Sequence, residues 1–183
     1  MIPMNNEFGD NYKLLWRKRD MQVAEVRNRA NDNSGYRVIR VIQDDALMQK
    51  INMRFIVATW TDGKPYLIVA SEFLQLPRDC QNAVIWHEVG HIHHEHHDTP
   101  DERGLHTQAD IRASRIAYIE KSEVEPDEIE ADDFAVSRVG KQPVLAFIEL
   151  LLKTRPKGAP GGLNELGRKE LKLRITRIQN LPD

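Results

Sequence analysis

Cysteine is nearly missing from this sequence. Cys80 stands alone in 183 residues, so no intramolecular disulfide can form, as suits a chain kept in a reducing compartment. Long apolar runs are missing too. The longest apolar-rich segment, "PVLAFIELLL", falls well short of the roughly 20 residues a membrane-crossing helix needs. The opening "MIPMNNEFGD" lacks the basic-then-apolar order of a secretory signal. Neither sign of charge dominates: 26 Lys and Arg face 28 Asp and Glu, which argues against nucleic acid as the main partner. These absences point to a soluble, cytoplasmic protein with no membrane insertion. Its length suits one domain, residues 1–183, with a genuine core.

The elements alternate early and turn helical later. Residues 11–30, "NYKLLWRKRDMQVAEVRNRA", scatter apolar side chains among charges and read as a basic helix within an N-terminal segment 1–35. Residues 36–43 alternate and are β-branched, so they read as a strand, followed by a short helical piece "DDALMQKI". "NMRFIVATW" and "PYLIVAS" are strand-like runs joined by "TDGK", whose Asp62-Gly63 pair favours a tight hairpin. These elements and the histidine-rich helix after Pro77 make up a part spanning residues 36–100. A mainly helical part, 105–183, should comprise a helix over 107–121 with Ile111, Ile116, Ala117 and Ile119 as its apolar side, and one from Pro126 closed by Gly140. The apolar "PVLAFIELLLKTR" and a last amphipathic helix using Leu171, Ile175 and Ile178 complete it. The expected class is α+β, a small mixed sheet with a hairpin beside a mostly helical second half.

What is abundant is histidine, all in one place. "AVIWHEVGHIHHEHHD", residues 83–98, holds six of the seven histidines and contains H-E-x-x-H. Residues four apart on a helix are separated by roughly 40° of arc, so His87 and His91 can grip one ion. Glu88 is turned away by about one residue's rotation, which suits it to flank a water rather than bind the ion. The bland alternative is a solvated, histidine-rich helix end; a third ligand decides between the two. His97 sits where a longer H-E-x-x-H-x-x-G-x-x-H pattern would need it, but position 94 is His rather than Gly, and all five methionines precede residue 54, leaving no downstream methionine turn. "EIEADDFA" is the better source. Glu128 and Asp132 share one helical face, so Glu128 can bind the ion while Asp132 accepts the second ring N–H of a ligand histidine. Ala131 and Ala135 are small enough for the two helices to approach closely, and Gly90 permits the same from the other side. His93, His94 and His96 are not needed for this site.

With "HEVGH" on one helix and "EIEADDFA" on a later one, the sequence resembles the gluzincin metallopeptidases, especially the HtpX and CAAX prenyl endopeptidase family. The resemblance runs from about residue 52 to 181 and includes "IVASEFLQLP" and "LKLRITRI". It implies a zincin-like fold, Zn2+ held by His87, His91 and Glu128, Glu88 as general base, Asp132 as partner of a ligand histidine, and peptide-bond hydrolysis on a protein or peptide substrate. Two departures are visible. The family's membrane helices are absent, and Arg168 stands where a histidine usually precedes the terminal R-I-x-x-L segment. Arg168, Arg174 or Tyr118 would then serve the oxyanion. ImmA/IrrE-like metallopeptidases are similar as well, with Asn where this chain has Asp132. A function of another class, an interaction module with a vestigial or structural zinc, stands as the alternative.

Overall fold

The computed structural model describes residues 6–8, 12–16, 24–28, 40–51, 53–61, 64–94, 96, 108–154 and 164–182. The chain divides into two compact units, Met1–Gln75 and Leu76–Asp183.

The first unit holds two three-stranded sheets. Strands β1 (Asn6–Phe8), β2 (Tyr12–Trp16) and β3 (Ala24–Asn28) form an antiparallel meander. At residues 12–16 and 24–28 these strands correct the helix expected over 11–30, the rest of which lies outside the described residues. Tyr12, Leu14 and Trp16 recur every second residue and register against Asn28, Val26 and Ala24. The apolar spacing thus fits a period of two as well as one of 3.6, and pairing with neighbouring strands overrides a weak helical preference.

The second sheet is mixed, in the order β4-β6-β5, from β4 (Arg40–Gln43), β5 (Ile56–Thr61) and β6 (Lys64–Val69). Thr61 pairs with Lys64, so only residues 62 and 63 separate the hairpin strands, as the Asp-Gly signal predicts. The strand is shorter than its sequence run: Met53 lies outside β5 and is exposed. Central β6 is buried through consecutive Leu67, Ile68 and Val69, which explains its unbroken apolar run. Helix α1 (Asp45–Lys50) covers this sheet with Met48, packed against Ile68 and Ala70. Asp44 caps it by accepting from Leu47 N–H at 2.9 Å, and Asp45 accepts from Ser71 N–H at 2.6 Å, tying the helix to the end of β6.

The second unit is helical, with α2 (Arg78–His93), α3 (Gln108–Glu120), α4 (Pro126–Val139), α5 (Lys141–Thr154) and α6 (Glu165–Gln179). The boundary between the two compact units falls before α2. The cause is packing: α2 buries apolar side chains around much of its girth, Ala83, Val84, Ile85, Trp86, Val89 and Ile92 among them, and it packs mainly on α4 and α5. A Cβ built on Gly90 would come within 2.9 Å of Ala131 Cα, so glycine is what lets α2 and α4 cross this closely. Pro126 sits in the first turn of α4, and Gly140, at φ 81°, ends it. Asn164 caps α6 through Gly167 N–H at 2.8 Å. On α3 the apolar side is narrower than expected: Ile119 is buried, but Ile116 and Ala117 face solvent. Cys80, near the start of α2, is buried. No helix among the described residues is long and apolar enough to cross a membrane.

Candidate metal centre

The close crossing of α2 and α4 sets His87 and His91 opposite Glu128. One ligand-type atom from each of the three lies within 4.8 Å of the others, and all three side chains are buried. The Nε2 atoms of His87 and His91 are 3.2 Å apart, and Glu128 Oε2 lies 3.4 Å from His87 Nε2. This triad could hold a metal ion.

Each imidazole is braced from behind. His87 Nδ1 lies 3.0 Å from Asp132 Oδ1, the partnership expected from the four-residue spacing on α4. His91 Nδ1 lies 2.9 Å from His96 Nδ1, and His96 Nε2 lies 2.8 Å from Glu130 Oε2. If Nδ1 of each ligand histidine carries the proton, both Nε2 lone pairs are bare and turned toward Glu128.

Arg174 is the hub of the surrounding charges. Its Nε and Nη2 donate to the two carboxylate oxygens of Asp132 at 2.9 and 2.6 Å, and its Nη1 lies 2.7 Å from Glu128 Oε2. From α3, Arg115 Nη1 reaches Glu128 Oε1 at 3.2 Å while its Nη2 pairs with Glu170 at 2.7 Å. Burial opposes ionisation of Glu128, yet the two guanidiniums hold its carboxyl well below the usual range. Asp132 is lowered likewise, with burial outweighed by Arg174 and His87. Burial and the nearby Arg174 disfavour a charged His87, but hydrogen bonds to Asp132 and Glu128 win and push its pKa up to about 9. Glu170 goes the other way, raised by burial and by Glu128 despite Arg115.

The residues fit a divalent ion. Two imidazoles and a carboxylate are the donor set of a three-ligand site. Glu128 is buried and held ionised by Arg115 and Arg174, the state a carboxylate ligand needs.

Of the residues singled out in sequence, His87, His91, Glu128 and Asp132 are brought together. Glu88 follows His87 on α2 and is half-buried. Arg168 donates from Nη1 to the Leu152 carbonyl near the end of α5, at 3.2 Å. Arg174, an alternative to it, is buried in the site, while Tyr118 is half-buried on α3. The partnership of His96 with His91, and the roles of Arg115, Glu130 and Glu170, went unread. A signal existed for the arginines. Arg174 interrupts the buried stripe Leu171, Ile178 on α6, and Arg115 stands midway between Ile111 and Ile119 at helical spacing.

No protein-family model, curated protein or solved structure matches this chain in sequence or fold comparisons.

Proposed function

We propose that the chain is a zinc-dependent endopeptidase of the gluzincin kind, with a zincin-like arrangement of its helical unit. The observation that carries this reading is the convergence of His87, His91 and the Glu128 carboxylate in a buried cluster, with Asp132 behind His87. His87, His91 and Glu128 would hold the ion. When bound, zinc supplies Lewis acidity toward a peptide carbonyl and makes water nucleophilic near neutral pH. Glu88, one residue on from His87, takes the proton of the attacking water and returns it to the leaving amine. Asp132, itself gripped by Arg174, keeps the His87 ring turned and its Nδ1 protonated. Arg174 takes over the oxyanion role that the family resemblance gave to Arg168, because its guanidinium already lies beside the ligand carboxylate.

A different observation favours a second reading, a structural or interaction module. Glu128 is already flanked by Arg115 and Arg174, so the cluster balances as a buried charge network on its own. Glu88→Gln separates the two. In an enzyme this change keeps the fold and the zinc, while hydrolysis of an unstructured protein falls by about 10²- to 10⁴-fold. Wild-type protein that binds zinc but cleaves nothing across a broad peptide panel would support the module and end the peptidase reading.

A further inference from the structure

We propose that His94, His96 and Glu130 form a second, outward-facing site for a divalent transition ion, and that the hydrogen bond between His91 and His96 sets the two sites against each other, so that an ion in one weakens binding in the other. The inference rests on the reading of His91 as a ligand in the buried site.

The outer donors are of the same kind as the inner ones. One atom from each of His94, His96 and Glu130 lies within 4.8 Å of the others. His96 Nε2 and His94 Nδ1 lie 2.8 and 3.5 Å from the same oxygen, Glu130 Oε2. Asp127 Oδ1, 3.9 Å from His96 Nε2, adds negative charge nearby. Access differs between the two sites. The His96 side chain is 5% exposed, but those of His94 and Glu130 are 34% and 53% exposed, against 9% for His87 and Glu128, so an ion arriving from water meets two open donors at the outer site first.

The antagonism follows from counting protons. His91 and His96 face each other through their Nδ1 atoms at 2.9 Å, a contact that needs one proton between two nitrogens. Two neutral imidazoles carry two protons in all, so the second must sit on one of the two Nε2 atoms. With an ion in the buried site, His91 Nε2 is bare; His91 then donates through Nδ1, and His96 keeps its other proton on Nε2, where Glu130 accepts it. With an ion in the outer site the pattern reverses: His96 Nε2 is bare, His96 donates through Nδ1, and His91 carries its proton on Nε2, closed to metal. The outer cluster therefore works as a waypoint that loosens its ion as the inner one fills.

Zinc titrated into the metal-free full chain tests this, with bound ions counted by equilibrium dialysis. Wild type should take one tight ion, any second binding about 5- to 150-fold more weakly than the outer site binds when the inner one is disabled. Glu128→Gln, which leaves both histidines in place, and His91→Ala should each still bind one ion, lost when His94→Ala and His96→Ala are added. Two ions bound to wild type with equal affinity would overturn the antagonism. No ion on a folded Glu128→Gln or His91→Ala chain would overturn the outer site itself. If instead wild-type zinc depends on His94 and His96 but not on His87 or Glu128, the outer site stands alone, and both the antagonism and the buried-site reading fall. Nitrogen chemical shifts of the wild-type rings give a further check. The zinc-loaded protein should have His91 protonated on Nδ1 and His96 on Nε2, and the opposite assignment refutes the proton arrangement.

Discussion

His87 carries two loads, as a candidate metal ligand on one side of its ring and as a cation partner of Asp132 on the other. Its pKa of about 9 in the folded, metal-free chain lies above the ordinary 6.5 of an unfolded one. The stabilisation this represents is complete below about 6.5 and drains away as pH climbs through about 9. Chemical denaturation of metal-free protein across that interval should lose on the order of 3 kcal/mol in a slope that His87→Gln lacks. Zinc affinity should rise over the same interval, because an ion must displace the ring proton. Arg174 is the complementary case. The sequence offered it as one of three candidate oxyanion donors but not as the partner of Asp132 and Glu128, since a sequence cannot tell a solvated arginine from one whose partners come from another helix. Arg174→Met would leave Asp132 buried without its main counter-charge and Glu128 with Arg115 alone, and should cost about 3–5 kcal/mol in urea unfolding of the metal-free protein. A loss below about 1 kcal/mol would mean the network is wetter than its burial implies. His87, His91, Glu128 and Asp132 were easier to read, because each pair shares one helix and four-residue spacing fixes its geometry. His96 and Glu130 were not: their link spans 34 residues of chain and depends on how the end of α2 lies against α4.

Helix positions repeat this division between local and distant signals. Several helix ends follow breaking residues readable in the chain: Pro77, Pro126 and Gly140 fall at or beside the ends they were expected to mark, and Asp44 and Asn164 cap two further helices. The N-terminal strands did not follow local signals, because their identity lies in cross-strand pairing rather than in any one segment. The crossing of α2 and α4 is where helix geometry becomes site geometry. Gly90→Ala would place a methyl carbon 2.9 Å from Ala131 Cα, a backbone atom that cannot swing away, so the helices must part. The expected cost is about 1–3 kcal/mol of stability. A weaker hold on zinc should accompany it, because His91 sits one residue beyond Gly90 and Glu128 three before Ala131. Calorimetric unfolding together with zinc competition reads both; a variant as stable and as tight as wild type would show that the crossing has slack.

At the scale of the whole molecule, every residue of the inner and outer clusters belongs to the unit Leu76–Asp183, and none to the sheets of Met1–Gln75. The α+β class was legible from the hairpin and the helical second half. The division was not, because nothing in the composition near residue 75 distinguishes a linker from a turn. Within the helical unit the solitary thiol acquires a use. Cys80 is buried on the same helix as His87 and His91, and burial, with Asp79 nearby, pushes its pKa above the ordinary thiol value. Folded protein should therefore resist alkylation, and each modification event records an excursion in which α2 comes away from its neighbours. Labelling rates measured with and without zinc then become a clock for opening of the helical unit. A saturating ion should slow the clock by the factor 1 + [Zn]/Kd, about a hundredfold at a hundred times Kd. A thiol modified equally fast in both states would mean that the metal does not hold this helix in place.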